Sequence, residues 1–364
     1  VKMTIEWLAG NRLRGTTAER PEYGLPSGSV GGWKEIARGN ASGSSTSFDI
    51  SWTEDKRYYM ILANYNISSG NGNPYLRLNG DTTQKYDLRH SMNGAADSTG
   101  LSNTDRGWYA AVSGYNTLPY FEVNYFGSIS TKEKIGIGNT VHQNTAGSGT
   151  SPNRAFRAMK HVQTSDPITS VNYWNQSGNG NFSSDSEVVV LGWDPDDTHT
   201  TNFWEELASV DVTTGTTIST GNFTAKKYLW VQFYLDASAI SFDWQFNSST
   251  DTQTSTYSGR HQNNGIGASG QNSDYTQINK NVMAENFGLN ASPHFGNMFI
   301  LNNASNEKLV TGNLVNQNTA GASDAPNRAE FAYKWTNTTN QINNITMLNS
   351  VNVSRFIMKV WGAD

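Results

Sequence analysis

The chain has 364 residues, with 26 basic and 31 acidic side chains, a formal net charge of −5 and no cysteine. With no basic run and no net positive charge, it is not composed like a non-specific nucleic-acid binder, which needs Lys and Arg to neutralise phosphates. No stretch reaches the roughly 18 apolar residues of a membrane-spanning helix, and without cysteine there is no disulfide or thiolate–metal scaffold.

Residues 1–32 read as an N-terminal arm. The opening Val1-Lys-Met-Thr-Ile-Glu-Trp lacks the apolar run of a secretory signal. The stretch Arg20-Pro-Glu-Tyr-Gly-Leu-Pro-Ser-Gly-Ser is too rich in Gly and Pro for a regular element. Such a segment is expected to order only against something else, for instance another subunit.

From Trp33 onward the chain writes itself twice. Trp33-Lys-Glu-Ile-Ala recurs as Trp204-Glu-Glu-Leu-Ala, and Lys56-Arg-Tyr-Tyr-Met-Ile as Lys226-Lys-Tyr-Leu-Trp-Val. Tyr86-Asp-Leu-Arg-His recurs as Tyr257-Ser-Gly-Arg-His, and Glu133-Lys-Ile as Glu307-Lys-Leu. The clearest echo is QNTAGSGTSPNRA from Gln143 and QNTAGASDAPNRA from Gln317. A single duplication with so long a period implies two domains rather than a solenoid. Copy one spans 33–194 and copy two 203–364, with the polar segment 195–202 as a linker.

Strand signals are short and rich in Val, Ile and aromatics. In Lys227-Tyr-Leu-Trp-Val-Gln-Phe-Tyr-Leu, residues Leu229, Val231, Phe233 and Leu235 share one face, while Tyr228, Trp230, Gln232 and Tyr234 share the other. The counterpart puts Tyr59, Ile61, Ala63 and Tyr65 on the equivalent face. A strand apolar on both sides has its second face covered or at an interface. Clusters such as Ser69-Gly-Asn-Gly-Asn-Pro supply turns. About eight strands per copy and no 3.6-residue periodicity predict an all-β protein of two tandem β-sandwiches, jelly-roll-like, behind an extended arm.

Within the repeated motif, Pro fixes φ, Asn tolerates unusual backbone angles and Arg can tie loop carbonyls or a carboxylate together. Asn153, Arg154, Asn327 and Arg328 are therefore read as a structural loop; the other reading makes the two arginines ligand contacts. His90 and His261 occupy equivalent places without a nucleophile elbow, a His-Glu-x-x-His helix or a phosphate loop beside them, which favours a polar role near a turn over general-base chemistry. The paired strand carboxylates of sandwich glycosidases, often Glu-x-Asp-x-Glu, have no match here. Asp194-Pro-Asp-Asp offers oxygens to a hard cation, but acidic linkers are common. No catalytic residue, metal or cofactor is assigned, and the chain is not expected to be an enzyme. An aromatic run peculiar to copy one, Trp108, Tyr109, Tyr115 and Tyr120, is a candidate ligand-binding patch for sugar rings, or else core or subunit contact.

The opening Ile5-Glu-Trp-Leu-Ala-Gly-Asn-Arg, the Trp-x-Glu-Ile/Leu-Ala strand, the Lys-Tyr-Leu segment and the Thr-Ala-Gly…Pro-Asn-Arg loop are similar to β-sandwich repeats of structural and tail-fibre-like proteins of environmental viruses of bacteria and archaea. This resemblance implies a component of a virion or extracellular assembly and assigns no functional residue. Two tandem sandwiches also suit, by architecture alone, the double jelly-roll capsid proteins. The expected function is a non-enzymatic capsid, surface or tail-fibre protein. It would assemble as a homo-oligomer or with other virion proteins through sheet faces and the arm. The alternative is a carbohydrate-binding module or receptor-binding fibre head recognising cell-surface glycans.

Overall fold

The computed structural model describes residues 32–68, 72–101, 107–109, 117–176, 180–195, 197, 199, 202–237, 242–247, 256–263, 274–283, 293–322 and 325–364. Of the expected arm, 1–32, only Gly32 lies among them, and residues 195, 197, 199 and 202 represent the linker. Tyr115 lies outside the described residues.

Copy one contributes β1 (Lys34–Asn40), β2 (Ser47–Ser51), β3 (Tyr58–Tyr65), β4 (Pro74–Leu78), β5 (Tyr86–Met92), β6 (Ser98–Gly100), β7 (Trp108–Tyr109), β8 (Tyr120–Gly127), β9 (Lys134–His142), β10 (Asn153–His161), β11 (Ser170–Asn175) and β12 (Glu187–Trp193). They form an eight-stranded sheet in the order β1-β12-β3-β8-β9-β10-β5-β6 and a four-stranded sheet in the order β2-β11-β4-β7, with every pairing antiparallel. Copy two contributes β13 (Glu205–Val212), β14 (Thr217–Ser219), β15 (Tyr228–Ala237), β16 (Phe242–Phe246), β17 (Tyr257–Asn263), β18 (Asp274–Lys280), β19 (His294–Leu301), β20 (Lys308–Asn316), β21 (Asn327–Trp335), β22 (Ile345–Asn349) and β23 (Val353–Ala363).

The second copy's sheets, β13-β23-β15-β19-β20-β21-β17-β18 and β14-β22-β16, repeat the first topology strand for strand, with β7 unmatched among the described residues. Even the bulge recurs: the register slips between Glu35 and Ala37 in β1 and between Glu206 and Ala208 in β13. The all-β sandwich expected from the sequence is therefore present twice. It is divided unevenly, a large sheet against a small one. The extra strands beyond about eight per copy include short ones, such as Ser98-Thr-Gly in β6, Trp108-Tyr in β7 and Thr217-Ile-Ser in β14, too brief for a hydrophobic run to announce them.

Alternation explains the cores. In β3 the inward residues Tyr59, Ile61, Ala63 and Tyr65 are all buried between the two sheets of copy one. In β15, Leu229, Val231, Phe233 and Leu235 do the same in copy two. Their neighbours on the opposite face, Met60 and Leu62 in β3 and Tyr228 and Trp230 in β15, belong to a third cluster that lies between the domains. Both faces of these strands are thus covered, as their apolar sequences require.

In its described residues the repeated motif starts and closes in the same way in both copies. Asn144 and Asn318 adopt positive φ (67° and 64°), a conformation that asparagine tolerates better than most residues. Their side-chain amides close the loop on Ser151 O at 3.1 Å and on Ala325 O at 3.0 Å.

Candidate interaction surfaces

The aromatic run expected to form a ligand patch is mostly core. Trp108 has no exposed surface; its indole nitrogen donates to Asp87 O at 3.0 Å and its ring stacks on Phe126. Tyr120 is equally buried, stacked between Tyr65 and His142. A ring with both faces packed cannot stack a sugar, so these two positions do not form the expected binding patch. Tyr109 is half-buried and its hydroxyl lies 3.0 Å from His90 Nε2.

The histidines are likewise built in. Ser98 Oγ sits 2.8 Å from His90 Nε2, so His90 ties β5 to β6 and β7. Burial, with Arg157 nearby, pushes His90 below the usual imidazole range. Burial and Arg154 push His261 down to about 4. At the end of copy one and in the linker, Arg57 pairs with Asp194 at 3.4 Å and Lys56 with Asp197 at 2.5 Å, so both carboxyl groups are engaged by cations.

What the structure brings together instead is the outward face of each large sheet. Met60, Leu62, Phe121, Val123, Val141, Val189 and Leu191 of copy one pack with Trp204, Tyr228, Trp230, Phe299, Leu301, Leu309 and Trp361 of copy two in one buried cluster. Rings meet across it: Phe121 and Tyr228 lie with centroids 6.2 Å apart, as do Tyr125 and Phe299. Aromatic contacts of this kind add to burial worth about 25 cal/mol per Å².

A polar clasp borders the apolar contact, and it is made of the repeated loop. Gly147 N donates to Glu307 Oε1 at 2.5 Å, and Lys334 Nζ donates to Gln143 O at 3.2 Å and to Thr145 O. Ser258 donates to Thr150 O at 3.0 Å and Arg260 Nε to Pro152 O at 3.2 Å. Ser148 donates to Asn279 Oδ1 at 2.8 Å. At the base of the loop Arg154 reaches Glu330 and Gln262, while Asn153 accepts from Asn93 and faces His142. Lys334 is wholly buried, and burial lowers its pKa while raising that of Glu307. Arg154 is therefore an inter-domain tie, while the bonds of Asn153 to Asn93 and His142 hold the loop within copy one. In copy two the same loop faces outward: Arg328 is exposed and bonds its near neighbour Glu330 at 2.6 Å, and Asn327 is half-buried.

Two further surfaces belong to the large sheets. On copy one, Trp33, Tyr58, Tyr125, Ile135, Ile137 and Trp193 line an almost wholly apolar cleft of about 360 Å³, with Tyr58 stacked on Trp193 at 5.0 Å. On copy two, Phe295 and Val315 stand exposed beside Asn297, Asn313 and Arg328. Sequence reasoning had a signal for the first of these. In Lys134-Ile-Gly-Ile-Gly the glycines face the core, where Gly136 lies against Phe126, and the large isoleucines face out. A sandwich strand that spends its bulk on the outer face is marked for a contact. No known protein-family model matches this chain, and no curated protein compared with it is similar in sequence.

Proposed function

We propose that this protein is a non-enzymatic building block of a virion or other extracellular assembly, joined to its neighbours through the outward faces of its large sheets and through the N-terminal arm. One observation carries the reading. The chain already uses those faces for association, burying Phe121, Tyr228, Trp230 and Phe299 between its own two domains, and it keeps more large apolar side chains on them than one contact consumes. Exposed apolar patches rimmed by polar groups are the mark of protein–protein contact. The virion location rests on the resemblance of the repeat motifs given in the sequence analysis. The buried, hydrogen-bonded histidines and the cation-paired carboxyls of Asp194 and Asp197 favour a scaffold over chemistry.

The test is the mass of the untagged full chain by size exclusion with light scattering, with negative-stain images of the same sample. Concentration-dependent growth into rings, shells or filaments is the expected result. A monomer across the whole range up to about 100 µM would overturn the reading.

A further inference from the structure

The internal contact between the copies is not a two-fold one, and this has a consequence for how chains meet. Equivalent residues do meet along one row of the sheets. Asn139 and Asn313, the sixth residues of β9 and β20, are joined at 3.2 Å. Ser91 and Gln262, the sixth residues of β5 and β17, lie 3.3 Å apart. Tyr125 and Phe299, the sixth residues of β8 and β19, also meet, two positions along their strands from that row. The copies are therefore related by a rotation about that row.

On one side of the row the faces close, with Phe121 on Tyr228. A two-fold packing would place the reciprocal pair, Phe295 and Tyr58, in the same contact. Yet Phe295 is 48% exposed and Tyr58 42% exposed, so the reciprocal contact is not made. The interface is heterologous: one patch of copy one on a different patch of copy two. Contacts of this type leave one partner of each kind unused per chain, to be taken up by ring closure or by continued addition.

The unused pair is the one the duplication specifies. The copy-two patch that receives copy one contains Tyr228 and Leu309; at the same strand positions copy one offers Tyr58 and Ile135, the latter 63% exposed. The copy-one patch that docks contains Phe121 and Val141; at the same positions copy two offers Phe295 and Val315, the latter 37% exposed. The polar rim follows. Glu307 and Lys334, which hold the loop of copy one, correspond to Glu133 and Lys160, which pair at 3.7 Å on the surface. The outward loop of copy two, with Arg328 58% exposed, repeats the positive φ of the clasping loop at Asn318 and Gly321.

We propose that the Phe295–Val315 patch of one chain, with the adjoining Arg328 end of the outward loop, docks on the Tyr58–Ile135–Trp193 cleft of a second copy of the chain, repeating between chains the kind of contact made within each. This rests on the assembly reading above and deepens it by naming the partner and both surfaces.

The experiment compares the full-length wild type with Ile135→Glu and Phe295→Glu. Both side chains are largely exposed in the single chain, and unchanged melting of each variant checks that it folds. Wild type is expected to self-associate, and each variant alone to lose that association by at least tenfold in concentration. Mixed together, the variants should form a one-to-one complex, since the first retains the loop patch and the second retains the cleft. Normal assembly of Phe295→Glu alone would mean that cleft pairs with cleft, and would overturn the scheme. If both variants assemble as wild type does, something other than a second chain covers the cleft; the scheme then fails while the assembly reading stands. A monomeric wild type removes the assembly reading itself.

Discussion

Arg154 of the first copy reaches Glu330 of the second, Nη1 to Oε2 at 3.0 Å, with both side chains buried. The repeated motif places Arg328 at the same loop position in copy two, where its guanidinium is solvent-exposed. One letter of the repeat thus has two energetic meanings. Removing one member of a buried ion pair leaves an uncompensated charge and costs about 3–5 kcal/mol, whereas exposed pairs contribute about 0–1 kcal/mol. Arg154→Ala should lower the urea midpoint strongly and separate the unfolding of the two domains, while Arg328→Ala should leave both unchanged. Equal effects of the two substitutions would show that Arg154 does not carry the inter-domain tie.

The two cores solve one packing problem in different ways. In copy one, Arg157 is wholly buried and bonds Glu122 at 3.1 Å and Asn124 at 2.9 Å, with the Tyr65 hydroxyl donating to the same Glu122 carboxyl. Burial first, and the Glu122 charge second, push the Tyr65 hydroxyl well above its ordinary range, which keeps it a donor. The equivalent residues of copy two are Phe331, Gly296, Met298 and Leu235. Gly296 is needed there because a Cβ would lie 2.1 Å from the ring of Phe233, which stands where copy one has Ala63. Arg157→Phe alone should destabilise copy one by about 3–5 kcal/mol, since it strands Glu122. Carrying over the whole copy-two set, Ala63→Phe, Tyr65→Leu, Glu122→Gly, Asn124→Met and Arg157→Phe, should recover most of that loss in the same denaturation assay. A five-fold variant no more stable than Arg157→Phe would show that the polar core is required for the fold of copy one.

Much of this architecture was legible in the sequence. The duplication and the two-sided apolar alternation of the Lys-Tyr-Leu strand foretold paired sandwiches with a covered outer face, and Leu229 through Leu235 lie on the face assigned to them. The recurrence of the loop was also readable, but not which asparagine bends it: Asn153 and Asn327 open strands β10 and β21, and the positive φ falls on Asn144 and Asn318. The aromatic run of copy one was not. Trp108 and Tyr109 form a strand of two residues, too short for alternation to say which ring faces in. Arg154 and Arg328 differ locally in one letter, Phe156 against Glu330 two residues on, but that letter does not show that Arg154 reaches Glu330 in the other copy.

Trp108 also separates a packing role from a binding one. Its ring fills space between Tyr86, Phe126 and His161, and truncation of a fully buried tryptophan costs about 3–5 kcal/mol through lost burial and the cavity left behind. Trp108→Ala is expected to lower the melting temperature of copy one. Trp108→Phe, which keeps part of the ring but loses the bond to Asp87 O, should cost less. A Trp108→Ala protein with wild-type melting would return this residue to the list of surface candidates.

Acid should weaken the chain through two histidines that each face a cation of the other copy. Burial and then Lys334 lower His142 to about 3, and burial and then Arg154 lower His261 to about 4. Both imidazoles are therefore neutral in the fold, whereas in the unfolded chain they titrate near 6.5. Between those values the unfolded state binds more protons, so stability falls as pH drops below about 6.5, by roughly 2 kcal/mol for each histidine at pH 5. Glu307 works in the opposite sense: burial raises its folded pKa, so it favours the fold slightly as pH falls toward the carboxylate range. Urea midpoints at pH 7 and pH 5 should show a net loss in acid. His142→Asn, which installs the residue that copy two carries as Asn316, should remove the share of His142, about 2 kcal/mol, beside what His90, His161 and His261 contribute. A His142→Asn protein that loses as much stability between pH 7 and 5 as the wild type would place the acid sensitivity elsewhere.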